Sequence, residues 1–237
     1  MEKRLIYIAI TLVVLSSCSK QEEVVQVKYI EPISGIIAKS SFDIILHRDT
    51  ATRIVLSGNS EAVNAVNILR NADTISIENT LIAKWLKPKD NKVKLDIYCD
   101  SLSRITLSET CNLSSKDSLH SDEVGIIVGS KLNIVDVKFS AKTVFYWNNF
   151  PCSGTIKFSG KTEELKIWNT ALMQVDASRL VSNYVLVDNN SGEDCRVHAN
   201  QYLDYNITGA GNIYVSGNPA VIASENLTGT GELILVD

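Results

Sequence analysis

The chain reads as an all-β protein, a right-handed parallel β-solenoid with an irregular β-rich N-terminal cap. Two observations predict this. Every twentieth position from 129 to 229 is Gly or Asn, namely Gly129, Asn149, Asn169, Asn189, Gly209 and Gly229. These residues enter left-handed backbone geometry most cheaply and so suit corners. Two places earlier the same lattice reads Leu107, Ile127, Trp147, Ile167, Val187, Ile207 and Leu227, apolar throughout. A corner that follows an inward side chain at constant period marks a chain coiling on itself, each coil burying its apolar side against the next. A meander of hairpins with accidental spacing is the competing arrangement. Right-handed winding is the rule for parallel crossovers.

The first element is a leader. Met1-Glu2-Lys3-Arg4, an apolar run from Leu5 to Leu15 and then Ser16-Ser17-Cys18 form a secretory signal peptide with a small-residue cleavage site. The run falls short of the ~20 apolar residues of a membrane-spanning helix. Leu15-Ser16-Ser17-Cys18 resembles the bacterial lipoprotein lipobox. That resemblance implies removal of residues 1–17 and lipid attachment at Cys18, with palmitate-type acyl chains holding the protein to a membrane. Two or three chains anchor stably where one is marginal. Residues 18–28 then form the tether. Ser19, rather than Asp, resembles the outer-membrane sorting pattern. Lys20-Gln21-Glu22-Glu23 fits either the surface-export signal of Bacteroidetes lipoproteins or a plain solvated tether, so periplasmic and surface-facing orientations both stay open.

Residues 29–106 are β-rich and irregular. Apolar runs at 41–46, 52–56, 73–77 and 93–98 are bounded by polar turns, as strands are. Val93-Lys94-Leu95-Asp96-Ile97-Tyr98 alternates most cleanly. EAVNAVNIL (61–69) alone has helical character, and LIAKWLKPKDN (81–91) reads as an exposed loop carrying Trp85. Residues 107–237 are the repeat region, in coils of about 20 residues. Each coil offers a strand, a corner and a second short strand. Three corner Asn in register could also stack their amides as a ladder. Trp147 falls on the inward lattice and is expected in the core. Positions just before the corners should face outward, which brings Trp168, Asn148 and Asp188 together on the surface as a composition suited to stacking on a sugar ring.

The apolar and polar segments Tyr29-Ile30-Glu31, Phe42-Asp43-Ile44, Ile54 to Asn59, Asp73 to Ile77, Val93 to Tyr98 and Leu102 to Ser108 together resemble the GIN-domain family. Its repeated Ser/Thr-Gly-x-Gly corners are matched by Thr208-Gly209-Ala210-Gly211 and Thr228-Gly229-Thr230-Gly231. The family is an auto-transporter adhesin head domain common among Bacteroidetes lipoproteins, and the resemblance spans about residues 29 to 235. Glu109 stands where the family usually has a corner Gly, and the middle coils use Asn. The resemblance implies a β-solenoid and supplies no catalytic residues.

Composition narrows the function. The chain has 23 Lys and Arg against 27 Asp and Glu, with no basic stripe, so nucleic acid is not a partner. Beyond Cys18 the cysteines are Cys99, Cys111, Cys152 and Cys195. The last three are about two coils apart each, nearly 10 Å at ~4.8 Å per coil and too far to bridge. Only Cys99–Cys111 is geometrically plausible, and buried free thiols are favoured. His47, His120 and His198 are scattered with no zinc spacing, and no metal or cofactor is expected. Asp188 to Asp194 is oxygen-rich enough for calcium but reads first as a solvated turn. Glu163-Glu164 and Asp204 are thin candidates for a glycosidase pair. The expected function is a non-enzymatic, lipid-anchored envelope protein, an adhesin-like scaffold for a glycan or protein ligand. A polysaccharide-processing solenoid enzyme and a purely structural envelope component are the alternatives.

Overall fold

The computed structural model describes residues 22–82, 91–129, 131–149 and 151–236. The leader, Cys18 and Trp85 lie outside these. Two ladders of strands run the length of the molecule. The first stacks β5 (Val66–Asn71), β6 (Thr74–Asn79), β2 (Gly35–Ala38), β8 (Arg104–Leu107), β10 (Leu119–Val128) and the second half of β11 (Lys131–Asn148). The other stacks β1 (Glu23–Tyr29), β4 (Arg53–Asn59), β7 (Val93–Cys99), β3 (Phe42–Arg48), β9 (Asn112–Ser115) and the first half of β11. Both continue through β12 (Cys152–Ser191), whose register against the next strand shifts twice, and β13 (Cys195–Ile207). They end in β15 (Val221–Leu227) and in β14 (Ile213–Ser216) with β16 (Leu233–Leu235). The result is an all-β solenoid of about 6 turns.

The N-terminal region is more regular than its sequence. β2 and β3 form one coil and lie parallel to β8 and β9 on one side and to β6 and β7 on the other. β8 straddles the expected division at 106/107, with β2 as one neighbour and β10 as the other, so no seam in the sheet falls there. The actual cap is three antiparallel pairings, β1–β4, β4–β7 and β5–β6. Helical character at 61–69 is realised only in α1 (Ser60–Asn64), capped by the Asn59 side chain, which accepts from the Glu61 and Ala62 amides. From Val66 the chain is strand, because pairing to β6 satisfies its backbone and turns Val66 and Ile68 toward the core.

The coil length is not constant, and this corrects several expectations. Leu107 lies beside Val128, 21 residues on, Val128 beside Asn148, 20 on, and Tyr146 beside Ile167, 21 on. A one-residue slip exchanges the two faces of a strand. Val128 and Asn148 are therefore the buried residues of their coils, Ile127 is half-buried, and Trp147 is 42% exposed rather than in the core. The second slip restores parity, so Ile167 and Val187 are fully buried as the lattice expects. Ile207 is also buried, but it lies beside Asn189 rather than Val187. Leu227 sits above Ile207 and is 56% exposed, with no further coil over it among the described residues.

The corner residues work differently from their expected left-handed geometry. None of the six has positive φ; Lys131 and Ala171, two places beyond Gly129 and Asn169, do. Gly209 and Gly229 are needed for close approach. A Cβ on Gly209 would meet the Ser191 carbonyl oxygen at 2.2 Å, and one on Gly229 would meet the Gly209 oxygen at 2.1 Å. Asn169 and Asn189 are buried, and the Asn169 amide donates to Asn189 Oδ1 at 3.1 Å. Asn149 is exposed and stands outside that ladder. The cysteines Cys99, Cys111, Cys152 and Cys195 are buried free thiols.

Candidate functional site

The slip creates a feature the strict lattice hides. On the outer side of the first ladder Ile37, Thr106, Ile127, Trp147 and Trp168 occupy one register across five successive coils. One residue pair earlier on each strand, Gly35, Arg104, Gly125, Phe145 and Lys166 form a second row. The Phe145 ring fills the space above Gly125, where a Cβ would meet it at 1.9 Å. Outward aromatic side chains at matched height on a rigid sheet make a flat apolar platform, the form that suits ring stacking.

Trp147 is a ridge between two depressions. The first, about 450 Å³, runs from Trp147 and Asn149 over Ile127 and Thr106 to Arg104 and Thr74. The second, about 600 Å³, lies between Trp147, Asn149, Thr170 and Asn190. Both fall within the range of small-ligand clefts, ~300–1,000 Å³. A third groove of about 220 Å³ lies farther along the same side, among Glu164, Lys166, Tyr184, Leu186, Tyr202 and Asp204.

The residues expected to bind together are only partly together. Trp168 faces outward and is half-buried, next to Trp147. Asp188 is half-buried and accepts the Asn206 amide at 2.5 Å. Asn148 is not on the surface. It is 1% exposed, its amide donates to the Thr170 carbonyl at 2.9 Å, and its Oδ1 accepts the Thr170 N–H at 2.9 Å. The coil-length slip that turned Trp147 out turned Asn148 in. Sequence reasoning missed Trp147 and Arg104 as outward partners. Val144-Phe145-Tyr146-Trp147 is apolar on both parities, so alternation there is silent.

Asp204 lines the third groove, where one of its carboxylate oxygens is buried without a hydrogen-bond partner among the described residues. Glu164 pairs with Lys166 at 2.8 Å, and that ammonium holds its carboxyl below the usual range. A general acid at neutral pH needs the opposite shift. In the Asp188–Asp194 segment the buried Asn189 amide donates to the Gly211 carbonyl at 3.0 Å, and the Ser191 hydroxyl donates to the Ala171 carbonyl at 3.1 Å. These side chains tie coils together. Among the described residues no group of three or more His, Cys, Asp or Glu could hold a metal ion.

The outer side of the second ladder is aromatic too, but self-contained. The Arg53 guanidinium sits 3.8 Å from the Tyr98 ring centre, and His47 stacks on that ring at 4.3 Å. His47 also bonds Asp96 at 2.8 Å. Burial raises the Asp96 carboxyl, but Lys94 and His47 outweigh it and hold the group below its ordinary range. Its polar groups are spent on one another.

The family described as "putative auto-transporter adhesin, head GIN domain" matches residues 33–219. Among solved structures the chain resembles a putative adhesin of Bacteroides fragilis NCTC 9343, with a TM-score of 0.82 at 15% identity over 91% of this chain and 97% of that one. A putative adhesin of Parabacteroides distasonis ATCC 8503 matches with a TM-score of 0.63 at 15% identity, over 92% and 98%. A protein of the same organism described as a putative lipid binding protein matches with a TM-score of 0.61 at 15% identity, over 90% and 97%. At such identity these likenesses establish the fold. No curated protein matches. Among the described residues no helix is long and apolar enough to cross a membrane.

Proposed function

Because the chain belongs to the head GIN domain family of auto-transporter adhesins, we propose that it is an adhesin-like binding scaffold of the cell envelope whose ligand is a glycan. The observation that carries this reading is the outward Trp147–Trp168 pair, set in register on adjacent coils beside two clefts. Tryptophan faces hold the apolar side of a sugar ring, while neighbouring amides and hydroxyls take its rim. Asn149 and Asn190 supply such amides. In this reading Cys18 carries the lipid that tethers the solenoid to the outer membrane. Binding by Asn148 is not part of it, since its amide is occupied within the fold. Catalysis is not part of it either.

A glycan array with the purified chain, run beside Trp147→Ala and Trp168→Ala, tests the reading. Bound glycans should lose about fivefold or more in affinity in either variant, as loss of about 1 kcal/mol of aromatic contact predicts. Equal binding by both variants would remove the tryptophan pair from the site. Absence of glycan binding would favour a structural role.

A further inference from the structure

The cleft between Trp147 and Arg104 differs from its neighbours in charge. The groove at Glu164, Lys166 and Asp204 holds both signs, and its lysine is paired. The cleft beside Asn190 has no charged group in its wall. The 450 Å³ cleft has one, the Arg104 guanidinium, and no carboxylate. Arg104 is exposed, and no described side chain takes its guanidinium, although Lys131, Arg53 and Arg48 each have an acidic partner. Its position is fixed by the sheet, since its backbone N–H donates to Ser34 O at 3.2 Å and it pairs with both Gly35 and Gly125.

The spacing suits a short oligosaccharide. Arg104 and Trp147 are two coils apart, about 10 Å, and offset by two positions, about 7 Å, along the strand. Between them the floor is Thr106 and Ile127, with Gly129 leaving one edge low and the Thr74 side chain standing over Gly35 at the other. An apolar shelf bounded by an indole face and an unpaired guanidinium recognises a ring at one end and an anion at the other. Arg presents a planar fork matched to a carboxylate.

We propose that this cleft selects carboxylated sugars: one ring stacks on Trp147 while the carboxylate of an adjoining residue pairs with Arg104. The inference rests on the glycan reading above and adds the charge class of the ligand. Uronic and sialic acids share this chemistry.

The test is calorimetric titration of the full chain with three probes: a galacturonic acid trisaccharide, the same trisaccharide methyl-esterified, and sialyllactose. Wild type should bind the free acid about tenfold or more tightly than the ester, the worth of a charge-assisted hydrogen bond. The preference should shrink with added salt. Arg104→Gln should abolish it, and Arg104→Lys should recover part. Tight sialyllactose with weak galacturonate would assign the sialic class, and the reverse the uronic class. Equal binding of acid and ester, or a preference that survives Arg104→Gln, would overturn the inference. Neutral glycans bound through Trp147 alone would overturn it while sparing the glycan reading, whereas failure of every glycan would end both.

Discussion

Tyr146 is fully buried, and its hydroxyl has no hydrogen-bond partner among the described residues. Burial pushes its ionisation upward, so the phenol stays neutral and contributes only its ring, which packs edge-on against Phe158 at 6.2 Å. An unsatisfied buried hydroxyl costs about 1–3 kcal/mol. Tyr146→Phe should therefore leave stability unchanged or raise it by about 1 kcal/mol, read as the midpoint of urea unfolding. A clear drop in the midpoint would mean that the hydroxyl has a partner. The neighbouring Trp147 shows why this part of the site was hard to read. Burial patterns come from polarity alternation, and here both parities are apolar. Arg104 was equally silent, because its significance depends on Trp147 two coils away. Trp168, by contrast, was legible as outward-facing because its neighbours Ile167 and Asn169 fix the phase.

At the scale of the coil, the repeat was legible and its cause was not. Gly209 and Gly229 stand where stacked backbones leave no room, and Asn169 and Asn189 where a buried amide ties coils together, rather than where the chain turns left-handed. Gly211 states the demand most sharply: a Cβ would lie 1.9 Å from the Glu193 carbonyl oxygen, a backbone atom held in the next coil. Gly192 meets nothing closer than a Leu172 methyl at 3.4 Å. Gly211→Ala should cost about 2 kcal/mol or more, and Gly192→Ala no more than about 0.5 kcal/mol. Matched thermal unfolding of the two variants checks this, and equal losses would contradict close approach as the reason for the glycine. A single insertion in a coil was invisible to a fixed period, since it moves side chains from one face to the other without changing composition. The N-terminal coils were missed for a different reason. β2 and β3 precede β6 and β7 in sequence but lie between them and β8 and β9 in space, so no constant spacing records their contact.

At the scale of the whole molecule, the described residues form a solenoid closed by antiparallel strands at its N-terminal end, with its last coil exposed at the other. Glu23–Tyr29, which takes up most of the segment expected as a tether, is one of those antiparallel strands. At the far end Leu227 and Leu235 are 56% and 64% exposed, while Ile207 and Val215, one coil below, are buried. The outer face with Trp147 lies between these ends on a rigid sheet, where a ligand can reach it from the side. This placement depends on the two coil-length slips. Thiol labelling reads them directly, because the native cysteines are silent. Cys99 and Cys111 are buried and pushed up to about 12 and about 11, and Cys152 and Cys195 are raised by burial as well. In a Cys18→Ser background, maleimide should modify Trp147→Cys rapidly in the folded protein and Asn148→Cys only on unfolding. The opposite order would return Trp147 to the core and remove the binding face built around it.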